Sequence, residues 1–184
     1  MKLQDLEHAA RIIVEGGLVL YPAEGCYGIG CDPCQHAAVR RILHAKHRSW
    51  QHGLIVIGAT MNQLFRYIDA ESPLLELALA DWPGPQTWLM PARAGVSRWI
   101  RGRHASVAVR LTDHPIARRL CLSARRGIVS TSANRHGLDP ARTVAQARRA
   151  LGRRADYVLS GAVGSLRNPT PIRDGRTGAI VRNG

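Results

Sequence analysis

Short apolar runs alternate with amphipathic segments along the chain. Residues 18–21 and 54–57 are short, continuous apolar runs of the kind that buried strands have. Residues 37–46 place apolar side chains on one helical face and arginines on the other, which predicts an amphipathic helix. A threonine is expected to cap a further helix over 60–68, and Pro73 is expected to open the next one. The first half of the chain therefore predicts strands separated by helices.

The second half follows the same scheme. Residues 127–130 predict a strand, Asp113 is expected to cap the helix before it, and Thr143 is expected to cap the helix after it. Turn residues between 171–173 and 179–182 predict a terminal β-hairpin. A hairpin among alternating strands and helices argues against a purely parallel sheet. We therefore predict an α/β fold with an open, twisted, mixed β-sheet and flanking helices.

Composition narrows the class of protein. The 184 residues, 45% of them hydrophobic, suit a single domain over 1–184 and exclude a wholly disordered chain. No apolar stretch approaches the ~20 residues of a membrane-spanning helix, and the acidic N-terminus lacks the apolar region of a signal peptide. We therefore expect a cytoplasmic protein without membrane contact. Twenty-six Lys and Arg against thirteen Asp and Glu give a net charge of +13, which favours polyanionic partners such as nucleic acid or a nucleoside triphosphate.

The cysteines have two interpretations. Cys26, Cys31 and Cys34 follow a C-x4-C-x2-C spacing with Cys121 far downstream, which imitates an iron–sulfur ligand set. However, Cys31 ends an apolar stretch and Cys121 lies at helical spacing with Leu120, so packing in a reducing compartment is favoured. The histidines show no metal-ligand spacing with a carboxylate. We expect no metal held by protein side chains.

Lys46 and Arg48 stand two residues apart where the predicted helix ends. A lysine and an arginine so placed suit a multivalent anion, because the arginine offers a planar fork to phosphate oxygens and the lysine a mobile point charge. The alternative is that these cations merely complement the helix dipole. The chain has no standard glycine-rich phosphate loop, so a nucleotide would have to be held by other means.

Two further groups are candidates for ligand binding. The polar cluster 130–134 follows an apolar strand directly, and strand ends of open α/β sheets are where ligands bind. Its alternative is a loop that caps itself. Arg110 is expected at the polar rim of a strand in which Val107 and Val109 point inward, either to clamp a carboxylate or to lie on the surface.

The chemistry that the composition favours is phosphoryl or nucleotidyl transfer. The sequence shows no serine–histidine–aspartate order, nucleophile elbow or carboxylate pair, and acids are few. Transfer of a phosphate group depends mainly on positioning and positive charge, which this chain supplies.

The order of motifs resembles one family over essentially the whole chain. The segments that carry the resemblance are YPAEGCYG at 21–28, KHR at 46–48, WPGPQT at 82–87, VRLTDHP at 109–115 and STSAN at 130–134, together with NPTPIRD at 168–174 and the closing VRNG. They are similar to the YrdC-like threonylcarbamoyl-AMP synthases, whose paired K-x-R and S-x-N signature is met by Lys46/Arg48 and Ser132/Asn134. The chain looks like the short bacterial (TsaC) form.

The resemblance implies a YrdC-like open sheet with a basic concave groove, and a reaction. L-threonine, bicarbonate or CO2, and ATP would give threonylcarbamoyl-AMP and pyrophosphate, the first step of tRNA threonylcarbamoyladenosine modification. Mg²⁺ would be bound through the phosphates. A separate threonylcarbamoyl-transferase complex would complete the pathway. The alternative function is a non-catalytic maturation factor that binds double-stranded RNA or tRNA in the basic groove.

The resemblance also implies roles for individual residues. Lys46 and Arg48 would be catalytic. The residues that would bind ATP are Lys46, Arg48, Ser106, Ser132, Asn134 and Arg182. The residues that would bind threonine are Arg110, Ser130 and Thr170.

One departure from the family concerns the amino-acid substrate. The family usually has a threonine where this chain has Ala23. A hydroxyl that could contact the bound amino acid is therefore absent, which predicts weaker or rearranged threonine binding.

Overall fold

The computed structural model describes residues 2–134 and 138–183. The strands are β1 (Val19–Pro22), β2 (Tyr27–Gly30), β3 (Ile55–Gly58), β4 (Thr87–Pro91), β5 (Ser106–Leu111), β6 (Ile128–Ser132), β7 (Tyr157–Val158), β8 (Ile172–Asp174) and β9 (Ile180–Arg182). The α-helices are α1 (Leu3–Val14), α2 (His36–Ala45), α3 (Met61–Leu64), α4 (Leu75–Asp81), α5 (Arg98–Arg101), α6 (Pro115–Ala124) and α7 (Val144–Leu151). Short 3-10 turns lie at Trp50–His52 and Gly152–Arg154.

The strands form one mixed sheet in the order β7-β1-β2-β6-β3-β5-β4-β8-β9. The pairs β1/β7, β3/β5 and β4/β8 are parallel, and the remaining neighbours are antiparallel. The predicted α/β class and mixed sheet are confirmed, including the terminal hairpin of β8 and β9.

The two faces of the sheet are covered differently. On one face, Val107 and Val109 of β5 pack in the same core cluster as Ile42 of α2. On the other face, α1 and α6 pack against each other and against β1 and β3. These two helices leave part of the second face open, and alternate β5 residues, among them Ala108, line a cavity there.

Three helix boundaries differ from the prediction. Pro73 does not open α4, which begins at Leu75 with Leu74 as its cap, because residues 73–74 form a turn before it. The cap of α6 is His114, whose Nδ1 accepts from the Ala117 N–H at 3.4 Å, and not Asp113. The reason is that Pro115 occupies the first helical position, so the residue before it becomes the cap. The helix expected over 60–68 ends at Leu64, because the chain turns there to form a β-bridge from Ile68 to Ala92. By contrast, the predicted cap of α7 is confirmed, since Thr143 forms a capping box with Gln146.

The cysteines follow the packing interpretation. Cys31 and Cys121 are fully buried within the two hydrophobic clusters, whereas Cys34 is exposed. In the described part of the chain, no group of three or more His, Cys, Asp or Glu side chains is arranged to hold a metal ion. No helix in that part is long and apolar enough to cross a bilayer.

Candidate active site

A cavity of about 310 Å³ lies on the open part of the sheet face. It is lined by every residue for which the sequence predicts a ligand-binding role: Lys46, Arg48, Ser106, Arg110, Ser130, Ser132, Asn134, Thr170 and Arg182. The floor is formed where strands meet in register, since Ile55 of β3 is paired with both Ala108 of β5 and Ser130 of β6. The cavity therefore extends over the sheet face, and is not confined to the strand ends.

Lys46 is a fixed cation at one end of the cavity. Its side chain is buried, and Nζ donates to the backbone carbonyls of Ser132 and Asn134 at 2.5 and 2.8 Å and to Asn134 Oδ1 at 3.1 Å. Burial and the neighbouring Arg48 cation lower the pKa of Lys46 to about 8. The side chain thus joins the end of α2 to the loop after β6. The sequence predicted a mobile charge at Lys46, and this prediction is wrong because three hydrogen bonds hold the ammonium group in place.

The turn between the two cations is a Schellman motif. The His47 N–H donates to His44 O at 3.1 Å, and the Arg48 N–H donates to Leu43 O at 2.9 Å. His47 occupies the left-handed region at φ 50, where glycine is usual. This turn ends α2 abruptly and brings the residues on both sides of His47 to the same cavity.

The guanidinium group of Arg48 is only partly hydrogen-bonded to the protein. Nη2 donates to Gly53 O at 3.3 Å, but Nε is buried without a hydrogen-bond partner. Buried donors are normally paired, because an unpaired one loses its hydration without compensation. An unpaired guanidinium N–H in a residue that lines the cavity is what an anionic ligand would satisfy.

The loop after β6 both caps itself and lines the cavity. Ser132 Oγ donates to Asn134 Oδ1 at 2.5 Å, the Ala133 N–H donates to Tyr27 O at 2.7 Å, and Asn134 Nδ2 donates to Leu138 O. The two interpretations of 130–134 are therefore compatible, since the internal bonds hold the polar groups that border the cavity.

Arg110 lies at the opposite end and is not on the surface. Only 4% of the residue is exposed, and its guanidinium binds both oxygens of Glu24 at 3.0 and 2.8 Å. Nη1 donates to the hydroxyls of Thr87 and Thr170 at 3.1 and 2.8 Å. The expectation of a surface arginine is wrong, because β5 continues beneath the chain segments that cover the cavity, and the fork expected for a substrate carboxylate is occupied by Glu24.

Sequence reasoning missed Glu24 and its partner Thr112. The Thr112 hydroxyl donates to Glu24 Oε1 at 2.5 Å, so the carboxylate is held from two sides. The available signal was an acid at 24 inside an otherwise apolar stretch. Thr112 lies 88 positions away and Arg110 lies 86 positions away, so no local pattern could identify these partners.

The segment that follows β7 closes the cavity over the loop between β1 and β2. The Gly164 N–H donates to Ala23 O at 2.9 Å, and Arg182 Nη2 donates to Thr170 O at 2.6 Å. Gly25 permits this close approach, because a Cβ there would lie 2.1 Å from Asn168 O. The cavity is therefore bounded by segments from both halves of the chain.

The fold and the cavity define an α/β protein with a cation-lined cavity on the face of a mixed sheet. A family model named Sua5_yciO_yrdC, described as telomere recombination, matches residues 11–184. The chain belongs to this family.

Curated relatives and solved structures agree with this assignment. A threonylcarbamoyl-AMP synthase from Nitrosococcus oceani is 49% identical, with 95% of each chain covered. One from Halorhodospira halophila is 46% identical, with 96% of this chain and 93% of that one covered. The crystal structure of P. abyssi Sua5 complexed with L-threonine matches with a TM-score of 0.88 and 30% identity over 95% of this chain and 52% of that one. E. coli YciO, at 22% identity and a TM-score of 0.87, shows the shared fold.

Proposed function

We propose that this protein is an enzyme that makes L-threonylcarbamoyl-AMP and pyrophosphate from L-threonine, bicarbonate or CO2, and ATP. The observation that carries the proposal is that every residue selected from the sequence lines one cavity, in a chain 49% identical to a threonylcarbamoyl-AMP synthase. The product would serve the first step of threonylcarbamoyladenosine formation on tRNA.

The reaction has two steps: carbamate formation on threonine, and attack of the carbamate on ATP. The threonine amine forms an N–C bond to CO2 and loses a proton, giving a carbamate. A carbamate oxygen then attacks the α-phosphorus of ATP, the bond to the bridging oxygen breaks, and pyrophosphate leaves. When bicarbonate is the source, water is also released. The protein must therefore hold a triphosphate and an amino acid in contact.

The cationic end suits the triphosphate. Lys46 and Arg48 line the cavity there, and the unpaired Nε of Arg48 is available to a phosphate oxygen. Arg182, which donates to Thr170 O, would add a cation from the side of the cavity where Arg110 lies. Ser132 and Asn134, held by their own hydrogen bonds, and Ser106 at the start of β5 would bind the nucleotide. Fixed positive charge stabilises the charge that develops on the departing pyrophosphate. Because the AMP group is transferred to the carbamate, the enzyme would be a nucleotidyltransferase.

The opposite end suits the amino acid. Ser130 and Thr170 present hydroxyls, and Arg110 keeps one N–H of its five outside the bonds to Glu24, Thr87 and Thr170. We assign these three residues to threonine, with Arg110 contributing that single N–H to the substrate carboxylate.

Magnesium would arrive with ATP. Among the described residues that line the cavity, Glu24 is the sole acid, and Arg110 and Thr112 already occupy it. The cavity therefore does not fit a protein-held magnesium site, and the ion would be coordinated by phosphate oxygens and water.

A radiolabelled-bicarbonate assay tests the proposal. Incorporation of the label into a nucleotide product, separated at neutral pH, and pyrophosphate release are expected only when ATP, bicarbonate and L-threonine are all present. Each amino acid is offered in turn. Absence of threonine-dependent turnover would contradict the proposal and favour the non-catalytic RNA-binding function. RNA binding alone cannot separate the two, because a chain of net charge +13 binds polyanions in any case. We also propose that the adenylate is delivered to a separate threonylcarbamoyl-transferase complex.

A further inference from the structure

The Glu24–Arg110 ion pair lies in the wall of the cavity and is held by several hydrogen bonds. Both side chains are about 95% buried, at 5% and 4% exposed. Glu24 Oε1 accepts from Arg110 Nε and from the Thr112 hydroxyl, and Oε2 accepts from Arg110 Nη2. Burial raises the pKa of Glu24, but Arg110 and the Thr112 hydroxyl outweigh it and keep the pKa below its usual value. Glu24 is therefore a carboxylate at neutral pH.

The pairing fixes what Arg110 can offer to a ligand. Four hydrogen bonds go to Glu24, Thr87 and Thr170, so the guanidinium cannot rotate to bind a second carboxylate through two parallel bonds. Such rotation would break bonds to charged groups, each worth about 1.5–3 kcal/mol. The orientation of Arg110 is thus set before any substrate enters.

The pairing also sets the charge at this end of the cavity. An amino acid is a zwitterion without net charge, whereas ATP is a polyanion. Glu24 compensates the charge of Arg110, so among the described residues the cavity-lining lysine and arginines without an ion-pair partner are Lys46, Arg48, Arg101 and Arg182. Without the carboxylate, a buried and uncompensated Arg110 would attract phosphate into the position that the amino acid needs.

We infer that Glu24 is a positioning residue for the amino-acid substrate, which holds Arg110 in one orientation and neutralises it so that threonine, not phosphate, occupies that end of the cavity. This inference rests on the proposed function. It names a residue that acts through Arg110 and contributes no bond to the reacting atoms.

The test is Glu24→Gln in the full chain, with L-threonine binding measured by calorimetry and KM measured separately for threonine and ATP. We expect the threonine Kd and KM to rise about ten-fold, the equivalent of one bond to a charged group, and the ATP KM to stay within about two-fold. Inorganic phosphate should become a competitive inhibitor with respect to threonine. Glu24→Asp, which keeps the charge, should recover part of the lost affinity.

A matched control separates positioning from stability. Asp32 is a second buried acid, paired with the partly exposed Arg126, and does not line the cavity. Asp32→Asn should lower Tm and leave the threonine Kd unchanged. Thr112→Val retains the ion pair and removes only the hydroxyl, so it should raise the threonine Kd by a smaller factor even if Glu24→Gln does not fold.

The experiments distinguish failure of the positioning role from failure of the proposed function. If Glu24→Gln binds threonine as the wild type does, or if it loses threonine and ATP affinity equally, the positioning role is wrong. An unchanged threonine Kd in Thr112→Val would contradict it as well. If the wild type itself shows no threonine-dependent turnover, the proposed function has failed, whatever the variants do.

Discussion

At the scale of single residues, Ala23 stands where the family resemblance leads us to expect a threonine. It lines the cavity with 6% of its surface exposed, between Pro22 and the positioning residue Glu24. Ala23→Thr is expected to add one hydrogen bond to the bound amino acid and to lower the threonine KM roughly two- to ten-fold, from ~0.5–1.5 kcal/mol. The ATP KM should barely change. Measuring KM for threonine and serine checks this, and a rise for both would show that the added atoms overpack a rebuilt pocket.

Lys46 and Arg48 are expected to differ in their structural roles. Alanine at either position should strongly reduce adenylate formation, because each removes a cation from the phosphate end. Lys46→Ala should also lower the free energy of unfolding by about 1–3 kcal/mol, since three oxygen acceptors lose a buried donor. Arg48→Ala should cost little stability, because Arg48 makes one long bond to Gly53. Thermal melts and the bicarbonate assay check both. Wild-type turnover in either folded variant would refute its phosphate role.

The ionisation of Lys46 predicts a pH dependence. With a pKa of about 8, Lys46 is protonated below that pH and loses its charge as the pH rises through it. In the free enzyme, kcat/KM for ATP should therefore fall above about pH 8. The residual activity of Lys46→Ala should lack this decline. A flat wild-type profile to pH 9.5 would show that the cation is not required.

The same pKa shift affects stability in the opposite direction. The folded-state pKa lies below the ordinary lysine pKa of 10.5, so between about pH 8 and 10.5 the unfolded chain binds more protons at this position. The contribution of Lys46 to the free energy of unfolding should therefore rise with pH in that window, while activity declines.

At the scale of elements, Arg142, two residues before α7, links the segments that enclose the cavity. Arg142 Nη1 lies 2.8 Å from Gly25 O, 2.8 Å from Leu166 O and 2.6 Å from Arg167 O. One exposed side chain thus joins the loop after β1 to the segment before β8.

Arg142→Ala should therefore impair binding more than folding. The bonds to Leu166 and Arg167 are exposed to solvent, so water can replace them and Tm should change little. The loop and the closing segment should separate, and KM should rise for both threonine and ATP. Arg149→Ala, an exposed arginine on the helix that follows Arg142, is the control and should leave both values unchanged. Equal KM values for Arg142→Ala and wild type would show that the closing segment holds without this link.

At the scale of the whole molecule, the net charge of +13 predicts RNA binding governed by salt. Because binding releases counterions from the phosphates, log K should fall linearly with log salt concentration. Filter binding of tRNA between 50 and 300 mM KCl checks this, and Arg48→Ala, which lies inside the cavity, should change the slope little. An affinity insensitive to salt would indicate specific recognition by groups other than the surface arginines.

Periodicity in the sequence predicted most of the fold. The amphipathic α2 and the Thr143 cap of α7 depend on contacts within a few residues, so local pattern determines them. The cap of α6 was misplaced by one residue, although Pro115 gave a local signal for it. The early end of α3 was not predictable, because it follows from a bridge to a residue more than twenty positions away.

The sequence by itself also determined the chemistry of the site: an excess of cations, a polar loop after an apolar strand, and motifs in the order of one family. Only the tertiary structure decided how these groups are used. It buried Lys46 among carbonyls and left Arg48 Nε without a partner. It also joined Arg110 to Glu24 across 86 positions, which converts a cation expected at the rim into half of a neutral pair. The physical reason is that charge and hydrogen bonding depend on distance and burial, which arise only when remote segments pack together.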